Sequence, residues 1–216
     1  MLKCVIFDMD GTIADTQPLC LAAFQAALAA TGGREFSEDE ITAVYGPSEG
    51  GCLRALVGDR AEEGLEIYLE YYQAHHQRIC PAPFPGMRRI FDLAEARGAA
   101  LALITGKSAA SLALDLAVFG LENRFRAIKA GRPEGADKPA DMRAVLAELG
   151  LEPGEAVYVG DAPTDITSAR AAGLPILAAA WAPGTDAGRL RSLGPDRLFF
   201  AVEDLAAYLR ETLFRP

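Results

Sequence analysis

Four short apolar runs, Cys4–Phe7, Ala100–Ile104, Ala156–Val159 and Pro175–Ala179, are each bounded by turn residues and carry no charged side chain. Runs of this length and continuity predict strands buried on both faces. A weaker run, Phe125–Lys129, predicts a fifth. Between the runs lie stretches of helical pattern: Met87–Arg97 before Gly98, Ser108–Phe119 before Gly120, Asp141–Leu149 before Gly150 and Thr164–Ala172 before Gly173. A glycine just past a helix is the usual C-terminal stop. Strand, helix and strand at this spacing predict an α/β fold with a mainly parallel sheet.

One segment breaks the alternation. From Pro18 to Ala82 no buried strand is predicted; Pro18–Ala30, Glu38–Tyr45, Glu49–Val57 and Ala61–Gln77 all read as helices. The expected organisation is therefore an α/β core built from residues 1–16 and 83–216, with an all-helical cap domain, 17–82, inserted after the first strand. The proline- and glycine-rich stretch Pro81 to Gly86 serves as the return linker. His75 and His76 fall on a polar helix end and are expected to be solvated.

Of 216 residues half are hydrophobic, enough to bury a core and a small appended domain. The net charge of −9 would repel a nucleic acid backbone, and no Lys/Arg block offsets it. The same charge repels phosphorylated substrates, so a phosphate site here must be made positive locally by a metal, a lysine or helix N-termini. Cys4, Cys20, Cys52 and Cys80 are widely spaced with no C-x-x-C, which argues against a zinc site or redox pair and fits a reducing cytoplasm. The N-terminal apolar run stops at Asp8, too soon for a signal peptide or a membrane span.

Chemistry concentrates where the strands end. Asp8-Met9-Asp10-Gly11-Thr12 follows the first run directly. In open α/β sheets ligands bind beyond the carboxyl ends of the strands. Two carboxylates one residue apart repel each other unless a cation or a shared proton intervenes. Thr105-Gly106-Lys107 follows the second run; a hydroxyl and free backbone N–H groups there can hold a phosphate oxygen, and Thr105 equally fits a helix N-cap. A P-loop is excluded, because the glycine it requires five residues before Gly106 is replaced by Leu101. Lys138-Pro139 follows a Gly/Pro-rich loop; alone it reads as surface, and beside the other pieces as a group that neutralises phosphate charge. Gly160-Asp161-Ala162-Pro163-Thr164-Asp165 places Asp161 at a strand end and Asp165 on the first helical turn, hard oxygen ligands suited to Mg²⁺ or acids decorating a helix N-terminus. An EF-hand is excluded, since the glycine it needs falls on Ile13.

These pieces, in this order, resemble the haloacid dehalogenase superfamily of phosphohydrolases, and within it the phosphoglycolate phosphatase and β-phosphoglucomutase type with a helical cap. The resemblance spans Phe7-Asp8-Met9-Asp10-Gly11-Thr12 to Ala171-Ala172-Gly173. It implies a Rossmann-like core and a Mg²⁺-dependent phosphatase acting on a small phosphorylated metabolite, such as a phosphoglycolate-like monoester. Asp8 would be the nucleophile, and Asp10 the general acid and base. Thr105, Gly106 and Lys138 would hold the phosphoryl group. Mg²⁺ would be bound by Asp8, the backbone carbonyl of Asp10 and Asp161, with Asp165 supporting the metal shell. A second proline common soon after the Lys-Pro pair is absent, since Ala140 and Asp141 follow Pro139.

A β-phosphoglucomutase-like mutase and a pyrophosphatase of the same superfamily remain alternatives. A phospho-receiver domain, which also uses Asp, Thr and Lys, has no place for the helical insert. The loop Tyr45 to Gly51, with Glu49 and with Arg54 beyond it, reads as a specificity loop or as a flexible connection with a surface arginine. No nucleic acid or membrane partner is expected, and monomer and homodimer both stay open.

Overall fold

The structure, a computed structural model, describes residues 2–213. Cys4–Phe7 forms β1, buried at every position. Val5 and Phe7 enter one hydrophobic cluster while Cys4 and Ile6 enter another, the two-residue alternation of a strand with a packed layer on each face. Five more strands follow: β2 (Ala100–Ile104), β3 (Ala127–Lys129), β4 (Ala156–Gly160), β5 (Ile176–Ala179) and β6 (Arg197–Phe199). The sheet order is β3-β2-β1-β4-β5-β6 and every neighbouring pair is parallel. This is the α/β architecture that the alternation of runs predicts.

Helices α1 (Gln17–Thr31), α2 (Glu38–Thr42), α3 (Glu49–Val57) and α4 (Ala61–Ile79) follow β1 with no strand among them. They precede α5 (Met87–Ala96), α6 (Ala109–Phe119), α7 (Lys138–Leu149), α8 (Pro163–Ala172), α9 (Ala187–Ser192) and α10 (Val202–Tyr208), which runs on into a π-helical stretch, Leu209–Leu213. One face of the sheet is covered by apolar side chains of α5, α6 and α10, such as Phe91, Leu116 and Leu205; the other by Met142, Ile166 and Leu190 of α7, α8 and α9. The first cluster continues through Leu19, Phe24, Tyr68 and Tyr72, so α1 and α4 extend the core beyond the sheet.

β1 sits between β2 and β4. The chain moves outward from β1 to β2 and β3, then returns to start β4 on the other side. Such a reversal opens a crevice at the carboxyl ends of the two strands flanking the switch. β1 and β4 run in register, Cys4 opposite Ala156 and Phe7 opposite Val159, so Asp8, just past β1, comes out beside Gly160, the last residue of β4, and Asp161 follows it.

Several boundaries differ from the sequence expectation. β3 starts at Ala127 rather than Phe125. α2 stops at Thr42, short of Tyr45. α7 starts at Lys138, three residues early, because the Asp137 side chain accepts the Ala140 N–H at 3.0 Å and Pro139 occupies the first turn, where its missing N–H costs nothing. Ser108, whose hydroxyl accepts the Ser111 N–H, is the N-cap of α6, so Thr105 is not a cap. β6 has no counterpart among the expected strands: three edge residues beginning with an exposed arginine give no apolar run.

Candidate active site

Asp8 leaves β1 with its N–H bonded to the Val159 carbonyl at 2.9 Å, which ties the first residue after β1 to β4. The chain then folds back on itself, the Ile13 N–H reaching the Met9 carbonyl at 2.9 Å. Gly11 makes this turn with φ +73°, and a Cβ there would lie 2.2 Å from Asp161 Oδ2. Any side chain would fill the space beside that carboxylate, so this position demands glycine twice over. Thr12 is fully buried and donates its hydroxyl to Asp161 Oδ1 at 2.9 Å, while Trp181 Nε1 donates to the Thr12 carbonyl at 3.1 Å.

Carboxylate oxygens of Asp8, Asp161 and Asp165 come within 4.8 Å of one another. Asp165 is fully buried and fully engaged: Oδ1 accepts from Lys138 Nζ at 2.6 Å and Oδ2 from the Ala162 N–H at 2.9 Å. Lys138 also lies 3.3 Å from Asp8 Oδ2, whereas the buried Asp8 Oδ1 has no partner. Burial, followed by repulsion from Asp165 and Asp10, raises the Asp8 carboxyl to about 7 against the pull of Lys138. Burial and then Asp8 and Asp165 raise Asp161 to about 8. Burial works against the Lys138 ammonium, yet Asp165 and Asp8 hold its pKa well above the ordinary lysine value.

An orphaned buried carboxylate oxygen, a second acid within 4.8 Å and a pinned third acid are a donor set that a divalent cation satisfies. Asp8 and Asp161 would hold it, with Asp165 fixed by its own hydrogen bonds beside them. The Asp10 side chain belongs to a different set. Its Oδ1 accepts from Thr16 Oγ1 and, at 2.8 Å, from Lys107 Nζ.

The raised carboxyls fix the sign of a stability effect. A carboxyl whose folded pKa lies above its unfolded value stabilises the fold below the unfolded value, and that contribution is lost as pH climbs through the folded one. In chelator, the melting temperature should therefore fall between about pH 4 and pH 8, and Asp161→Asn should flatten the decline. A melting temperature that rises across this range in calorimetry would contradict the repulsive acid pair.

A cavity of about 380 Å³ opens over these groups. Asp8, Asp10, Gly106, Lys138 and Asp161 line it from the α/β core, and Tyr45, Glu49 and Tyr68 from the segment between β1 and α5. Thr105 is buried just beneath: it does not line the cavity, and its Oγ1 accepts the Lys107 N–H at 3.2 Å. Glu49 faces the cavity, but Arg54 is exposed and lies outside its lining. Asp8, Asp10, Gly106, Lys138 and Asp161 thus share one cavity, whereas Thr105 and Arg54 lie outside its lining.

Lys107 carries more of the site than its sequence context suggests. It is 2% exposed, lies 3.1 Å from Cys20 Sγ, and sits 3.7 Å from Asp115 Oδ2. Asp115, on α6, accepts from Tyr72 Oη at 2.6 Å and pairs with His76 Nε2 at 2.7 Å, both on α4. His76 is therefore fully buried, contrary to the solvated position expected for it; His75 is half-buried and stacks on Tyr71. The sequence signal for this cluster is a lone charged residue, Asp115, in the otherwise uncharged α6, with Tyr68, Tyr72 and His76 recurring every four residues on α4.

The profile of the haloacid dehalogenase-like hydrolases matches residues 5–179, most of the chain and every acid just described. The chain belongs to that family. A Neisseria meningitidis phosphoglycolate phosphatase is 31% identical over 183 residues, covering 80% of this hydrolase and 77% of the relative. The pyrophosphatase PpaX of Bacillus pumilus is 29% identical over 95% of both chains. In fold, CbbY of Rhodobacter sphaeroides, solved with phosphate, superposes with a TM-score of 0.79 at 22% identity, over 95% of this hydrolase and 96% of that chain. With phosphatases among its relatives and a family of hydrolases around it, this haloacid dehalogenase-like hydrolase is an enzyme of the phosphatase type. Its four cysteines are free and buried, and no helix among the described residues is long and apolar enough to cross a membrane.

Proposed function

We propose that this hydrolase cleaves a small phosphate monoester in two steps through a phosphorylated Asp8. The observation that carries the reading is Asp8 itself: one oxygen buried and unpartnered at the cavity, the other beside Lys138, with Asp10 on the same cavity wall. In the first step an Asp8 oxygen attacks phosphorus, the bond to the substrate oxygen breaks, and Asp10 gives that oxygen a proton. In the second, water attacks the phosphorus and Asp10 takes its proton; the bond to Asp8 breaks and inorganic phosphate leaves. Lys138 and the backbone N–H of Gly106 stabilise the equatorial oxygens, with Thr105 supporting that loop from below. A bound divalent ion, Mg²⁺ by the all-oxygen character of Asp8 and Asp161, would neutralise the charge of the acids and of the transferring group.

The helical segment 17–82 acts as a cap in this reading, with hinges near Thr16–Gln17 and Pro81–Gly86, and its closure excludes bulk water. The free cysteines favour a cytoplasmic setting.

The test is metal dependence. Turnover of a phosphate monoester should require added Mg²⁺ and stop in excess chelator. Asp161→Ala should lose the Mg²⁺ response while keeping a cooperative melt. Undiminished turnover in chelator would remove the metal from the mechanism.

A further inference from the structure

Glu49 begins α3, yet its chemistry lies across the cavity. Its Oε2 accepts the N–H of Ser108 at 2.8 Å, at the start of α6. The neighbouring Ser48 N–H donates to the Arg132 carbonyl at 3.0 Å. A Cβ on Gly51 would lie 2.3 Å from the Pro133 carbonyl oxygen, so α3 seats against the 131–135 loop as closely as glycine permits. These contacts hold Glu49 in place at 5% exposure, and its Oε1 is left with no partner although it belongs to the cavity lining. A buried carboxylate oxygen without a donor costs free energy until something supplies one.

The cations of the cavity cannot supply it. Its lining contains two lysines and, among the described residues, no arginine. Lys107 is held by Asp10, and Lys138 by Asp165 and Asp8. The start of α6, which would otherwise welcome a second anion, is occupied by Glu49 itself.

We infer that Glu49 selects phosphate monoesters whose far end donates a hydrogen bond, a hydroxyl or an ammonium group, and rejects those ending in a carboxylate or a second phosphate. The inference rests on the phosphatase reading above. A donor completes Oε1, whereas an anion at the same place meets an unscreened like charge with no counterion. Discrimination arises as much from that repulsion as from the hydrogen bond that a donor forms.

Three monoesters of matched length separate the possibilities: 2-hydroxyethyl phosphate, ethanolamine phosphate and phosphoglycolate. With Mg²⁺, kcat/KM for each of the first two should exceed that for phosphoglycolate by roughly tenfold or more. Glu49→Gln should close the gap by raising the phosphoglycolate value. The same order should appear in calorimetric binding to the Asp8→Asn protein, which reads tail preference without turnover. Equal or tighter binding of phosphoglycolate, or a ratio untouched by Glu49→Gln, would overturn the inference. If the wild type also fails to hydrolyse p-nitrophenyl phosphate, the phosphatase reading falls, while the binding order still decides the role of Glu49.

Discussion

Asp8→Asn should abolish turnover while leaving the fold intact. The amide has nearly the same shape but no anionic oxygen, and its neutral carbonyl is too weak a nucleophile to form a phosphorylated intermediate at residue 8. Because the phosphoryl group has no other route in the proposed mechanism, the loss should reach the background rate of the assay, exceeding the roughly 10²–10⁴-fold expected for a general acid–base such as Asp10. The fold should even benefit. Asp8 is buried, its Oδ1 has no partner, and it is repelled by Asp165 and Asp10. Removing its charge relieves that repulsion, so in chelator at pH 8 the variant should melt no lower than the wild type. Single-turnover phosphate release and a thermal melt measure the two halves. Retained turnover, or labelled phosphate trapped on another residue, would refute Asp8 as the nucleophile.

The acids in that prediction can be placed from sequence because they lie within a few residues of the end of a buried strand, β1 for Asp8 and Asp10 and β4 for Asp165. β1 and β2 match the expected boundaries to the residue, since a continuous apolar run ends abruptly where polar chemistry begins. Asp8 and Asp161 then converge because parallel strands in register deliver their ends to one crevice, and Lys138 joins them from the first turn of α7. What sequence does not reveal is whatever depends on two distant segments meeting. In sequence Lys107 merely follows Thr105-Gly106, with no sign of its partners Asp10 and Cys20, which lie 97 and 87 residues away. His76 reads as solvated because its neighbours Gln77 and Arg78 are polar; helical geometry instead turns it inward with Tyr72, one turn earlier. Arg54 fails for the opposite reason: proximity in sequence to Glu49 does not make a common face, and the residues differ in exposure although they share α3.

The buried cluster that escapes sequence reasoning carries the largest expected stability effect. Asp115 is fully buried on α6, and it joins α4, through Tyr72 and His76, to the Lys107–Asp10 pair at the cavity. Asp115→Ala leaves Tyr72 Oη and His76 Nε2 without their acceptor in the interior, and it removes one of the two carboxylates facing Lys107. Breaking a buried charged group of this kind costs about 3–5 kcal/mol. For a chain of this length that corresponds to a fall of roughly 6–20 °C in melting temperature. Asp115→Asn separates the contributions: it keeps one acceptor oxygen at nearly constant volume but abolishes the charge. If the hydrogen bonds from α4 dominate, Asn should recover most of the loss; if the field on Lys107 dominates, Asn should be nearly as damaging as Ala. The distance favours the first outcome, because Asp115 Oδ2 lies 3.7 Å from Lys107 Nζ, beyond hydrogen-bond reach, while the Tyr72 and His76 contacts are 2.6 and 2.7 Å. Urea or thermal unfolding of the two variants decides it. An Ala variant within about 0.5 kcal/mol of wild type, the range of an ordinary surface change, would mean that this cluster does not hold α4 against α6.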